Sequence, residues 1–258
     1  MELQKNKIVL IGAGNVATHL GIALKNEGFS IIQVYSYTLD SAKTLGEKLE
    51  ADYTNNINSI NEKADIYIFS IKDSALPEIL KKFPKTKGIF IHTAGSLPAD
   101  VFKGFAKHYG VLYPLQTFSK NRDIVFREIP LFVEASDQKT EETIKKIAEK
   151  LSLKVIYLPS EKRSHLHLAA VFACNFVNHL YKLGTDILEE QKLDWNLLLP
   201  LIQETASKVE TLHPKDAQTG PAVRYDKNII RKHLEMLKDE PEKQELYRLL
   251  SDSIYHSK

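Results

Sequence analysis

At 258 residues, 43% of them apolar and 26% charged, with no apolar run near the roughly 20 residues a bilayer crossing needs, the chain reads as a soluble protein with room for a sizeable core. Its 35 basic and 33 acidic residues leave a formal net charge of +2, and the pairs Lys81–Lys82 and Lys145–Lys146 sit among carboxylates and apolar residues, so no basic stripe suits a nucleic acid. The single cysteine, Cys174, excludes an internal disulfide and no Cys/His spacing resembles a zinc site, so a reducing cytoplasm and no metal are expected.

From residue 7 to about 158, short apolar runs alternate with segments of helical period, the pattern of a parallel sheet covered by helices. The first run, Ile8–Ile11, is too short for a signal-peptide core and reads as part of a strand, Lys7–Ile11. In chain order there follow a helix at Asn15–Asn26, a strand at Ile31–Ser36, a helix at Ser41–Glu50, a strand at Ile66–Ile71 and a helix at Ser74–Phe83. Three strands come next, at Gly88–His92, Val111–Tyr113 and Leu131–Glu134, then a helix at Gln138–Leu151 and a strand at Lys154–Tyr157. After "LPSEKRS" the strands stop, and helices are expected at about 162–190, 195–212, 227–238 and 242–255, with Asp226 capping one and Pro241 in the first turn of the last. The helix through 165–184 is apolar on nearly all sides between Leu166 and Leu180 and is expected to be buried. The fold class is therefore α/β: a mostly parallel sheet domain, 1–158, followed by an all-helical C-terminal domain, 159–258, joined near Pro159.

The first strand runs into Gly12-Ala13-Gly14-Asn15-Val16-Ala17, a G-x-G-x-x-A between a strand and a helix. In that context the turn suits a dinucleotide. Gly12 permits the tight turn, Gly14 lets the backbone approach a pyrophosphate, Ala17 allows close packing, and the helix N-terminus offers free N–H groups. Two alternatives stay open: a turn that merely connects strand to helix, and an S-adenosylmethionine site, which also uses a glycine-rich first turn. An NAD site places Asp or Glu roughly 20 residues further on, against the ribose. Here "VYSYT" supplies Tyr35, Ser36, Tyr37 and Thr38 with no carboxylate, and Asp40 is expected to cap the next helix. The missing acid disfavours NAD and S-adenosylmethionine alike. The hydroxyls of Ser36 and Thr38, with Lys43 one helical turn on, suit a 2′-phosphate, so NADP is expected although Tyr37 stands where an arginine is usual.

In an open parallel sheet the ligand lies beyond the carboxyl ends of the strands. Ile71 and Lys72, with Asp73, would border the adenosine and ribose; His92-Thr93-Ala94-Gly95-Ser96 would lie by the nicotinamide, Gly95 permitting close approach. His92 either transfers a proton or fixes its loop through ring hydrogen bonds, and Thr93 and Ser96 are either site groups or loop hydroxyls. In the helical half, His167, Val171, Asn175 and Asn178 share one face, with His167 and Asn175 about 12 Å apart along the axis. A buried unpaired Asn costs about 1–3 kcal/mol, so Asn175 is expected to bond either to another helix or to a substrate. Arg224, after the Gly220-Pro221 break, either holds an anionic substrate or pairs with Asp226 or a neighbouring subunit.

Six ordered stretches, "GAGNVA", "IKDSALPEI", "IHTAGSLPADVF", "YPLQTFS", "HLAAVFACNF" and "TGPAVRYD", resemble a bacterial family of Rossmann-like NADP oxidoreductases over nearly the whole chain. The first domain of that family is similar to the deazaflavin-dependent NADP reductase, and its helical second domain to those of 6-phosphogluconate dehydrogenase and pyrroline-5-carboxylate reductase. The resemblance implies a Rossmann-type NADP domain, a helical domain that forms a homodimer, an active site in the cleft between them, and hydride transfer between the nicotinamide and a small carbonyl or imine. It brings no established substrate. Residue by residue it assigns Gly12, Gly14, Asn15, Val16 and Ala17 to the cofactor loop, Ser36 to the 2′-phosphate, and His92 to Ser96 to the nicotinamide side. His167 and Asn175 match the helix that faces the cleft. In the β-hydroxyacid dehydrogenases of similar architecture a catalytic lysine lies one turn before the helix asparagine. Val171 stands there in this chain and cannot transfer a proton, which puts that mechanism in doubt and keeps a non-catalytic dinucleotide-binding or sensor protein as the alternative.

Overall fold

Successive residues of a strand face opposite sides of a sheet, and the first strand is apolar on both. In the computed structural model, which describes residues 5–257, Ile8 and Leu10 of β1 (Lys7–Ile11) join one core and Val9 and Ile11 another. The sheet has eight strands in the order β3-β2-β1-β4-β5-β6-β7-β8. Beyond β1 they are β2 (Ser30–Tyr35), β3 (Asp52–Thr54), β4 (Ile66–Phe69), β5 (Ile89–His92), β6 (Tyr109–Pro114), β7 (Leu131–Ala135) and β8 (Val155–Tyr157). All neighbours are parallel except β6 and β7. One face is covered by α1 (Asn15–Asn26), through Ala17, Leu20 and Leu24, by α2 (Leu39–Leu49) and by α4 (Gln138–Leu151). The other face packs α3 (Leu76–Lys82) and Phe102 against Tyr67, Phe69 and Phe90, with aromatic rings 5.1–5.6 Å apart.

The chain divides into two compact units, the first ending at Asn175 and the second beginning at Phe176. Strands give way to helices at Pro159, but α5 (Ser160–Ala170) and the π-helical turn Val171–Phe176 that follows it pack largely with the sheet unit. The second unit holds α6 (Val177–Glu190), α7 (Leu199–Lys208), two single turns α8 (Pro214–Ala217) and α9 (Pro221–Arg224), α10 (Lys227–Met236) and α11 (Pro241–His256). Within it, Tyr225 stacks on Tyr255 at 4.2 Å and His233 bonds the Tyr247 hydroxyl at 2.8 Å. The Asp226 carboxylate accepts from the Ile229 N–H to cap α10, and Pro241 opens α11.

Three expectations need correction. The three-residue β3 was not anticipated, because its largely exposed "DYT" carries no apolar run. Thr38, rather than Asp40, is the N-cap of α2, which starts one residue after it. Finally, the helix expected to be buried carries exposed apolar side chains: Leu168, Phe172, Phe176 and Leu180 are 55, 62, 50 and 39% exposed. An all-round apolar helix requires cover, but its sequence does not say that the cover belongs to the same chain. Among the described residues no helix is long and apolar enough to cross a membrane.

Candidate functional site

The order of strands reverses between β1 and β4, so the loops at their carboxyl ends diverge and leave a crevice there. Gly12 follows β1 with φ +118°, and a Cβ on it would stand 2.2 Å from the carbonyl oxygen of Ser70, which follows β4. Only glycine fits that contact and that backbone. Gly14 is the N-cap of α1; no side chain caps this helix end, and a Cβ on Gly14 would meet nothing within 4 Å. The first-turn N–H groups of a helix have no partner inside it. Here they face a space that the missing side chain leaves open, which is the arrangement a pyrophosphate needs.

A cleft of about 520 Å³ begins at this turn and is lined by Gly14, Ser36, Ser41, Ile71, Lys72 and Lys120, among others, with no carboxylate in its walls. Of the expected cofactor contacts, Ser36, Ile71 and Lys72 line it directly. The Asn15 amide donates to the Phe118 carbonyl at 2.8 Å, Val16 is half-buried and Ala17 fully buried in the contact between α1 and the sheet. The Thr38 hydroxyl donates to Ser41 at 2.8 Å. Lys43 is turned to Glu47 at 3.8 Å, so the positive charge in the cleft wall comes from Lys72 and Lys120. These walls fit NADP: an uncapped helix end for the pyrophosphate, and hydroxyls and lysines without an acid near the 2′-phosphate position.

A chain of contacts runs from the glycine turn to a second cleft. Thr93, on the loop after β5, donates its hydroxyl to Ser70 at 3.1 Å, and the Ser96 hydroxyl donates to Asp73, tying the β4 and β5 loops together. Gly95, on the same loop, lies against the His167 ring: a Cβ there would stand 2.6 Å from Nδ1 and 2.8 Å from the Tyr113 ring. The second cleft, about 450 Å³, is lined by Tyr113, His167, Asn175, Gln116 and apolar residues such as Leu166 and Ala170. Tyr113 lies near the carboxyl end of β6, and its hydroxyl lies 3.0 Å from His167 Nδ1. Asn175 is exposed, so it has no need of an internal partner; the π turn Val171–Phe176 carries it to the cleft wall beside His167.

Of the two readings of His92, geometry favours the loop-fixing one. The ring is 1% exposed; Nδ1 accepts from the Ala94 N–H at 3.2 Å and Nε2 donates to the Pro98 carbonyl at 3.3 Å. Burial, with the charge of Arg163 nearby, pushes its pKa down to about 4, so the ring is neutral and both nitrogens are spent on the loop.

Sequence reasoning missed Arg163. In "LPSEKRS" it looks like a solvated charge, yet it is fully buried: it pairs with Glu134 of β7 and donates to the Leu97 carbonyl and, at 3.1 Å, to Ser160. Ser160 in turn donates to Glu134 at 2.7 Å and accepts from the Ala99 N–H at 3.0 Å. This network locks the start of α5 to the loop that carries Gly95. Tyr113 was missed because an aromatic residue at a strand end reads as core, and Lys120 because nothing in its spacing links it to the glycine turn.

Residues 7–94 match the family described as "NADP oxidoreductase coenzyme F420-dependent", and residues 129–254 match a "Domain of unknown function (DUF2520)". Among solved structures, a Bacteroides fragilis protein assigned as an NADP oxidoreductase is 50% identical, with a TM-score of 0.93 over 99% of this chain and 100% of that one. A pyrroline-5-carboxylate reductase from Coxiella burnetii shares the fold at 14% identity and a TM-score of 0.57, over 98% of this chain and 97% of that one. The reductive aminase of Aspergillus terreus, solved with NADPH4, cyclohexanone and allyl amine, does so at 14% identity and a TM-score of 0.69, over 98% and 93%. No curated protein matches the chain.

Proposed function

Because the chain belongs to the family of Rossmann-like NADP oxidoreductases, we propose that it transfers a hydride between NADP and a small carbonyl or imine, with residues 1–158 binding the dinucleotide and 159–258 serving substrate binding and dimerisation. The observation that carries this reading is the open, uncapped α1 terminus at Gly14, at the head of a cleft walled by Ser36, Lys72 and Lys120 without a carboxylate. Bound there, the cofactor's nicotinamide supplies or accepts the hydride at C4.

The chain's own residues position and polarise. Gly12, Gly14, Asn15, Val16 and Ala17 form the pyrophosphate turn; Ser36 and Thr38 with Lys72 hold the 2′-phosphate side; Ile71 flanks the adenosine; and Thr93, Gly95 and Ser96 shape the nicotinamide side. His167 holds the proton exchanged with the substrate's oxygen or nitrogen, Asn175 orients the substrate, and His92 keeps the Thr93–Ser96 loop in place. Support for a carbonyl or imine comes from the mix in the second cleft, where apolar walls surround a few polar groups. The fold neighbour solved with a ketone, an amine and a form of NADPH points the same way. A cytoplasmic location and a homodimer complete the reading. The exposed Leu168, Phe172, Phe176 and Leu180 supply an apolar surface for a second copy, and light scattering with Phe172→Glu tests it: the wild type runs as a dimer and the variant as a monomer.

Turnover is tested by following NADPH oxidation with a panel of small ketones, aldehydes and cyclic imines, with NADH as comparison. Selective NADPH oxidation by one class supports the reading. Binding of NADPH that changes the oligomeric state with no turnover on any substrate favours the sensor alternative suggested by Val171.

A further inference from the structure

The Tyr113–His167 contact has a direction, and the direction decides what the imidazole offers to a ligand. Tyr113 is 8% exposed, and burial raises its phenol pKa further above the ordinary 10, so at neutral pH the group is an O–H. Among the described residues its one hydrogen bond is to His167 Nδ1. If Nδ1 carried the imidazole proton and donated it, the hydrogen left without a protein acceptor would be that of the buried phenol. If the phenol donates, Nδ1 accepts and the neutral ring carries its proton on Nε2, so the hydrogen left for the cleft belongs to the half-buried imidazole, where it costs less. The ring cannot readily turn to another arrangement, because the Gly95 backbone sits against its Nδ1 side and the edge of the Tyr113 ring meets it at 77°. His167 Nε2 has no hydrogen-bond partner among the described residues, and the ring lines the second cleft.

We propose that Tyr113 is a positioning residue that holds His167 in its Nε2–H tautomer and supplies the proton behind it. Resting on the oxidoreductase reading for its consequence, the relay balances as follows. When a carbonyl is reduced, the developing alkoxide takes the Nε2 proton and Nδ1 takes the phenol proton, leaving a neutral Nδ1–H imidazole and a phenolate; after the product leaves, Nε2 takes a proton from water and the phenolate takes back the Nδ1 proton. In net the substrate gains one hydride and one proton, and the protein is restored. The phenol is a far stronger acid than the product alcohol, so the transfer runs downhill. The charged groups around the pair are few: Arg163 of α5, itself paired with Glu134, and the Cys174 thiol on the π turn, which act on Tyr113 in opposite senses.

The test reads the tautomer directly, on cofactor-free protein. Nitrogen-15 NMR of histidine-labelled wild type, with the His167 signals assigned by their loss in His167→Gln, should show Nε2 protonated and Nδ1 bare, with a preference of roughly 10-fold or more from the phenol hydrogen bond. In Tyr113→Phe that preference should collapse to a mixture of tautomers. Turnover in the same variant should fall by roughly 100-fold in kcat, with KM and NADPH affinity unchanged. A wild-type ring protonated on Nδ1 would overturn the proposal even if the variant failed to fold, and so would an unchanged tautomer in Tyr113→Phe. A fixed Nε2–H tautomer in a protein with no NADPH-linked turnover would leave the tautomer assignment standing and discard the oxidoreductase reading instead.

Discussion

Replacing Arg163 with alanine should be among the most damaging single changes in the sheet unit. The guanidinium is fully buried, and its loss strands the Glu134 carboxylate, 15% exposed, with Ser160 as its remaining side-chain partner among the described residues, while the Leu97 carbonyl loses its donor. Breaking a buried ion pair by removing one member costs about 3–5 kcal/mol, because the remaining charge stays desolvated. For a cooperative unit of this size each kcal/mol lowers Tm by about 2–4 °C, so a fall of about 6–20 °C is expected in thermal unfolding followed by near-ultraviolet circular dichroism. Removing both charges is the control. Arg163→Met combined with Glu134→Leu leaves no stranded carboxylate and should recover most of the loss, the more so because Arg163 Nε is already buried without a partner. A loss below about 1 kcal/mol in Arg163→Ala, or a double variant no more stable than the single, would show that the pair does not anchor α5 as described.

Two further outcomes follow from the same geometry. The His92 ring, with an ordinary pKa of 6.5 pushed down to about 4 by burial, is neutral when folded and takes up a proton on unfolding between those values. Its contribution to stability is therefore complete above about pH 6.5 and is lost as pH falls towards 4, by about 3 kcal/mol in all. His92→Asn should flatten urea-unfolding stability across that window relative to wild type, and equal slopes would refute the assignment. Gly12→Ala should cost more than about 2 kcal/mol, since φ +118° strains any side chain and the new Cβ would collide with the Ser70 carbonyl; an unchanged denaturation midpoint would argue against that backbone.

How much of this was legible beforehand depends on whether the signal is local. The Gly12-x-Gly14 turn, β1 and α1 announce themselves because strand, turn and helix are contiguous and each has its own period. The antiparallel β7 was not readable: among the described residues only a short 3₁₀ turn, Phe126–Glu128, lies between β6 and β7, but β5 and β6, joined likewise through only the 3₁₀ turn Ala99–Phe102, run parallel, so the connection alone does not set the direction. The Arg163–Glu134 pair was not readable, since partners 29 positions apart that meet only through the fold look like two solvated charges. The Tyr113–His167 pair, separated by 54 positions, is hidden for the same reason. His167 and Asn175 could be placed on a common helix face, but not the π turn between them, and the exposure of that helix lies outside anything periodicity encodes.

Titrating wild-type protein and Gly14→Ala with NADPH, followed by nicotinamide fluorescence and paired with thermal unfolding of both, tests the dinucleotide cradle most directly. A Cβ at Gly14 meets no protein atom within 4 Å, and the residue's φ of −80° suits alanine, so unfolding should shift by no more than about 0.5 kcal/mol while the methyl group occupies the space of the pyrophosphate. NADPH affinity should fall by at least roughly 10-fold, the equivalent of about 1.4 kcal/mol. Equal affinity in the two proteins, or no binding of NADPH to the wild type, would mean that the open turn at Gly14 does not hold a dinucleotide.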